Sequence, residues 1–168
     1  MIVLSDTSPI NYLVLTGHIE ILPALFGQVV IPAAVLAELQ HSGTPTVVQR
    51  WIRNPPAWLL IRSAAQVDPR LRLGQGEAEA ISLAVELHAT LLLMDDRRGR
   101  REAESRGLSV AGTLNVLEAA AQRGLLDFPT AVAKLRQTNF HIADHIIQRA
   151  LKTDAERKSK NRGHRGQK

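Results

Sequence analysis

Residues 1–13 read MIVLSDTSPINYL, and the order of residue types in them sets the fold. Ile2, Val3 and Leu4 form a short apolar run suited to a fully buried strand. Pro9 suits the first turn of a helix, and Ser8 before it can cap that turn's free N–H groups. Asp6 then stands directly after a strand, with the helix start already served. An acid left over at such a junction calls for a role of its own.

The alternation continues along the chain. Helix 9–15 and a second short helix over 18–25 lead to the strand QVVIP (28–32), and Pro32 opens a helix over 33–40. TPTVVQRWIR (44–53) is helical and halts at Pro55 and Pro56, and WLLIRS (58–63) is a strand. GQGEAEAISLAVELH (74–88) is a helix, TLLLM (90–94) a buried strand, RRGRREAESRG (97–107) a helix and LSVAG (108–112) a strand. TLNVLEAAAQRG is a helix ended by Gly124, and helices over 129–138 and 143–152 follow. Strands separated by helices predict an α/β fold, a three-layer α/β/α sandwich around a central parallel sheet. Ligands of such sheets bind beyond the carboxyl ends of the strands. Asp6 lies at one such end, and the pair Asp95-Asp96 after TLLLM lies at another.

The 168 residues suffice for one domain with a real core, built from Leu, Val, Ile and Ala because aromatics make up only 4%. The absence of cysteine removes disulfides, thiolate zinc sites and a cysteine nucleophile, and it suits a reducing cytoplasm. Asp6 follows the start too closely for a secretory leader, and no apolar run reaches the length of a membrane span. The net charge of +5 is concentrated in KTDAERKSKNRGHRGQK (152–168), with seven basic and two acidic residues; residues 1–151 hold fourteen of each. The expected organisation is a folded body over 1–151 and a basic, disordered tail over 152–168. The tail could contact nucleic-acid phosphates or serve only as a solvated end.

Two further acids are placed by helical geometry. With Glu77 at 0°, Ile81 and Val85 fall within roughly 80° of it, whereas Glu79, Ser82 and Glu86 cluster at roughly 140–200°. Glu77 is thus expected to point inward and Glu79 outward. Glu38 is the only charge in VVIPAAVLAELQ, and its neighbours one turn back, Ala34 and Val35, are apolar. An inward carboxylate is costly unless protonated, paired or bound to a metal. Plainer roles exist for each: a loop aspartate for Asp6, a helix cap for Asp95 or Asp96, the helix dipole for Glu77, and an ion pair with Arg62 or Arg72 for Glu38. Together the acids outnumber any inward bases. A carboxylate cluster without histidine or cysteine suits Mg²⁺ or Mn²⁺, and a pair of such ions can activate water against a phosphodiester.

DTSPIN, the isolated Glu38 in VLAEL, GQGEAEAI and MDDRRGR, in this order, resemble the PIN-domain family, in particular a VapC-like prokaryotic branch long catalogued as a domain of unknown function. The resemblance spans residue 2 to about residue 150. It implies a Mg²⁺- or Mn²⁺-dependent ribonuclease whose acids are Asp6, Glu38, Glu77 and Asp96, with Asp95 a second candidate for the fourth position and Ser8 a polar companion of Asp6. It also implies products with a 5′-phosphate and a 3′-hydroxyl, a homodimer, and, where the member is a toxin, a cognate antitoxin protein. Two positions depart from the family pattern: Met94 stands where Thr-x-Asp has threonine, and Glu77 where aspartate is usual.

Arg97, Arg98, Arg100 and Arg101 follow the acidic pair. Their fork geometry suits phosphate, and proximity favours Arg97 and Arg98 as RNA contacts, against a solvated face balanced by Glu102 and Glu104. His141 and His145 are four apart, but Ile142 stands where a zinc protease needs glutamate. GQGEAEA lacks the lysine and the preceding strand of a phosphate loop. The alternatives to a nuclease are a catalytically inactive PIN-like module that binds RNA or protein through its basic tail, and a metal-dependent phosphatase. The latter would turn over small esters and ignore polynucleotides.

Overall fold

The computed structural model describes residues 1–165. Five strands, β1 (Val3–Ser5), β2 (Val29–Pro32), β3 (Leu59–Arg62), β4 (Leu91–Leu93) and β5 (Val110–Ala111), form one sheet in the order β3-β2-β1-β4-β5. Every pairing is parallel. Helices α1 (Thr7–Leu15), α2 (Ile21–Phe26), α3 (Ala33–Gln40), α4 (Thr46–Ile52), α5 (Gln75–Glu86) and α6 (Arg97–Glu104) make the connections. The α/β sandwich with a central parallel sheet is therefore the observed architecture.

The inner strands β1, β2 and β4 are almost wholly apolar because both faces of the sheet are covered there, whereas the edge strand β3 ends in the exposed Ile61 and Arg62. Leu4, Val30 and Leu92 are buried in one cluster with Ala80, Ile81, Leu83 and Ala84 of α5 and Ala103 of α6. Alternation along the strands puts Val3, Val29, Ile31 and Leu93 on the opposite face, where each is buried as completely. The chain runs outward from β1 through β2 to the edge strand β3, then returns through α5 to place β4 on the other side of β1. The reversal makes the carboxyl ends of β1 and β4 the two lips of a switch point, the usual ligand crevice of an open parallel sheet. The N–H of Asp6 donates to the Leu93 carbonyl at 2.9 Å and ties the two lips together.

Two compact units divide the chain, residues 1–113 and 114–168. The second contains nearly all of α7 (Thr113–Gln122), together with α8 (Phe128–Arg136) and α9 (Asp144–Arg165), and buries Leu117, Phe128, Val132, Leu135 and Ile147. Residues 152–165, expected to be a disordered tail, instead continue α9; positions 166–168 lie outside the described residues. Charges at helical spacing explain the difference. Asp154 pairs with Arg157 at 2.6 Å and Lys158 at 2.8 Å, and Lys158 also reaches Asp127, the N-cap of α8, at 3.2 Å. Among the described residues no helix is long and apolar enough to cross a membrane.

Helix α1 begins at Thr7, two residues earlier than expected. Pro9 fits inside the first turn because that turn's N–H groups have no intrahelical partner. Ser8 is therefore a first-turn residue instead of the cap, and the N-cap position belongs to Asp6.

Candidate functional site

Aspartate is among the best N-cap residues, yet the carboxylate of Asp6 makes no capping hydrogen bond. It is 3% exposed, and its Oδ1 is buried without a hydrogen-bond partner. Burial pushes its pKa up to about 7, the nearby charges of Glu77, Glu38 and Asp95 add to the rise, and the Thr7 N–H offsets part of it. A buried acid raised by the charges of three others is in a site short of positive charge.

Glu38, on the last turn of α3, accepts from the hydroxyl of Thr7 through Oε2 and from the Gly76 N–H through Oε1 at 3.0 Å. The bare Gly76 is what lets Glu38 take this position. A Cβ on it would lie 2.5 Å from Oε2 and 2.7 Å from Oε1 of Glu38. The plainer role for Glu38, an ion pair with Arg62 or Arg72, does not form, and both arginines are exposed. Glu77, half-buried, accepts the Gly74 N–H at 3.3 Å, from the third position of α5 back to its N-cap. Desolvation, then the charges of Asp96 and Glu38, raise its pKa, while the Gly74 N–H and the charge of Arg98 oppose the rise.

The adjacent aspartates diverge. Asp95 accepts both the N–H and the hydroxyl of Thr113 at 2.7 Å, and burial nevertheless raises its pKa. Asp96 is exposed and caps α6, its Oδ1 accepting the Gly99 N–H at 2.8 Å. Asp95 is thus the acid whose charge bears on Asp6, and Asp96 the one whose charge bears on Glu77. Met94, standing where the family pattern has threonine, is wholly buried, and its Sδ lies 2.6 Å from where a Cβ on Gly99 would sit. Its side chain belongs to the core and supplies nothing to the edge.

Glu79 is the clearest correction. Expected at the surface, it is 8% exposed, and its carboxylate accepts the N–H groups of Ala34 at 2.8 Å and Ala64 at 3.2 Å. Glu86, though exposed, accepts the Ala65 N–H and Ser82 the Asp68 N–H, so the polar face of α5 clasps the segment after β3. Thr7, Gly76 and Thr113 also escaped the sequence reading. Thr7 lay within DTSPIN, and a threonine opening a helix after β5 mirrors the first junction. Tyr12 is a further neighbour, its pKa raised by burial and by Asp95.

The donor set is entirely oxygen, which fits a hard divalent cation, and the orphaned Asp6 Oδ1 is an atom such an ion would satisfy. As they stand, no three His, Asp or Glu side chains among the described residues gather tightly enough to ligate one ion. Glu38, Glu77, Asp95 and Asp96 are instead held by backbone N–H and hydroxyl donors. The same test leaves His141 and His145 without a metal site among the described residues. A surface cavity of about 440 Å³, lined by Asp68, Arg70, Ser82, Val85 and Arg106 among others, shares no residue with the acidic edge.

Comparison with known proteins places this edge in context. A family model described as a PIN domain matches residues 2–156. Among solved structures the chain is similar to a PilT N-terminus domain protein from the hyperthermophilic archaeon Sulfolobus solfataricus P2. The identity is 20%, the TM-score 0.51, and the match covers 85% of this chain and all of that one. No curated protein matches the sequence. With the parallel sheet, the acids at its carboxyl edge and a family match over nearly the whole chain, the chain belongs to the PIN-domain family, whose fold is generally that of a nuclease.

Proposed function

We propose that this PIN domain is a Mg²⁺- or Mn²⁺-dependent ribonuclease that hydrolyses RNA phosphodiester bonds, with Asp6 at the centre of its site. The observation that carries the reading is the buried, unpartnered Oδ1 of Asp6, facing Glu77, Glu38 and Asp95. Asp6, Glu38, Glu77, Asp95 and Asp96 are the residues that would hold the cation. When bound, a divalent cation supplies the charge that polarises a phosphoryl oxygen and acidifies water. The remaining residues position the acids. Thr7 and Gly76 fix both oxygens of Glu38, and Thr113 fixes both oxygens of Asp95. Arg97 and Arg98, both exposed, are candidate RNA contacts, as is Ser8 in the turn that follows Asp6. A VapC-like toxin paired with an antitoxin protein is the finer form of this reading, with a homodimer as its assembly and the cytoplasm as its place.

One observation favours the alternative, an inactive RNA- or protein-binding module: four of the five acids already accept hydrogen bonds, and Asp96 serves as a helix cap. Cleavage of end-labelled single-stranded and structured RNAs separates the two. The ribonuclease reading expects scission with Mg²⁺ or Mn²⁺, none with EDTA, and none from Asp6→Asn. A folded protein that binds RNA but leaves it intact with either metal is the inactive module.

A further inference from the structure

Four basic side chains among the described residues are half-buried: Arg100, Arg106, Arg157 and Lys158. Three of them are matched. Arg106 pairs with Glu102 at 2.7 Å and Asp68 at 3.3 Å, and Arg157 and Lys158 share Asp154. Arg100 alone of the four has no carboxylate within ion-pair range and donates no side-chain hydrogen bond among the described residues. A guanidinium cannot shed its charge and carries five donors; half-buried and without a protein acceptor, Arg100 keeps donors that an approaching anion can take.

Its position says which anion. Arg100 Nη1 lies 3.0 Å, and Asp95 Oδ1 2.9 Å, from the point where a Cβ on Gly112 would sit. The bare Gly112, just past the end of β5, is thus the floor over which the guanidinium stands beside the acidic edge. Arg98 and Arg100 are roughly 160° apart around α6, and they bear on different acids, Arg98 on Glu77 and Arg100 on Asp95. An acidic edge repels a polyanion, and a fixed cation at its rim lowers that barrier where the backbone must approach.

We propose that Arg100, seated over Gly112 beside Asp95, is a phosphate-binding residue that grips the backbone of single-stranded RNA at the acidic edge. This rests on the ribonuclease reading. It differs from the choice of Arg97 and Arg98 by proximity, because partial burial without a partner distinguishes Arg100 from its exposed neighbours.

The test is binding of a fluorescently labelled single-stranded oligoribonucleotide by the full chain in EDTA, over a salt series, beside cleavage in Mg²⁺. Arg100→Gln is expected to weaken binding about tenfold and to make the slope of log affinity against log salt shallower by about 0.7. Its melting temperature is expected to change little, because only the long-range attraction of Arg100 for Asp95 is lost and no hydrogen bond or ion pair. Arg100→Lys retains the slope and part of the affinity, and Arg101→Gln, which removes an exposed charge next in the chain, leaves both unchanged. Equal effects of Arg100→Gln and Arg101→Gln overturn the assignment. Wild-type binding and cleavage retained in Arg100→Gln also overturn it while leaving the ribonuclease reading intact. A wild-type chain that neither binds nor cleaves RNA overturns both.

Discussion

Glu38 and Glu79 cap each other's helices. Glu38, in α3, accepts the N–H of Gly76 in the first turn of α5, and Glu79, in α5, accepts the N–H of Ala34 in the first turn of α3. Pro32 at the N-cap of α3 and Gly74 at that of α5 have no side-chain acceptor to offer, so each helix borrows one from the other. The exchange locks two helices at the carboxyl edge and holds Glu38 beside Thr7. One acid of the exchange belongs to the candidate site, and the other supports it.

Glu79→Ala is therefore expected to destabilise the protein. It leaves two N–H groups, those of Ala34 and Ala64, without their acceptor. The expected loss is on the order of 2–3 kcal/mol, with Glu79→Gln milder because its amide oxygen can still accept. Urea unfolding of the two variants checks this, and equal stability of wild type and Glu79→Ala would sink the bracing role.

Gly76→Ala separates stability from activity. The three atoms nearest the new Cβ all belong to the end of the flexible Glu38 side chain, which can move aside. Alanine also gains about 1 kcal/mol of helix propensity over glycine, which offsets part of the clash. The folded state survives, but Glu38 is displaced from both of its donors. Melting temperature is expected to change little, while RNA cleavage falls about a hundredfold, the usual cost of an ångström of misplacement.

Asp6 gives the pH dependence of stability an unusual sign. Its pKa is raised from 3.8 to about 7, so the folded state holds the proton more tightly than the unfolded chain. Stability contributed by the protonated form is present below about pH 4 and is lost as pH rises through about 7, at most about 4 kcal/mol in all. Glu77 and Asp95 are shifted the same way. Asp127 and Asp154, lowered by their hydroxyl and cationic partners, act oppositely, but only as pH falls below the usual carboxylate range. In EDTA, unfolding midpoints are thus expected to drop between pH 5 and 7.5, and Asp6→Asn to flatten most of that drop. An unchanged slope in Asp6→Asn would mean that its carboxylate is not held in the buried state described.

The junctions were legible in the sequence because they are local. IVLSD and TLLLMDD announce a buried strand followed by an acid, and the parallel order needs only the alternation of elements. The environment of Glu79 was not legible. A helical wheel groups Glu79, Ser82 and Glu86 on one face but cannot say that residues 64–68 cover it. Thr113 serves Asp95 from eighteen positions away, and the significance of Arg100 lies in its burial. The helical continuation beyond residue 151 was written in the sequence: Asp154 and Lys158 stand four apart, as do Lys152 and Glu156, and composition outweighed that spacing.

The most direct test of the central claim is a Mn²⁺ titration of the wild-type chain and of Asp6→Asn near pH 7, followed calorimetrically in buffers of different ionisation enthalpy. If Asp6 is the half-protonated acid that a cation must displace, wild type binds Mn²⁺ and releases a fraction of a proton, and Asp6→Asn binds at least about tenfold more weakly with that release abolished. Equal binding and equal proton release in a folded Asp6→Asn, or no binding by the wild type, would contradict the account.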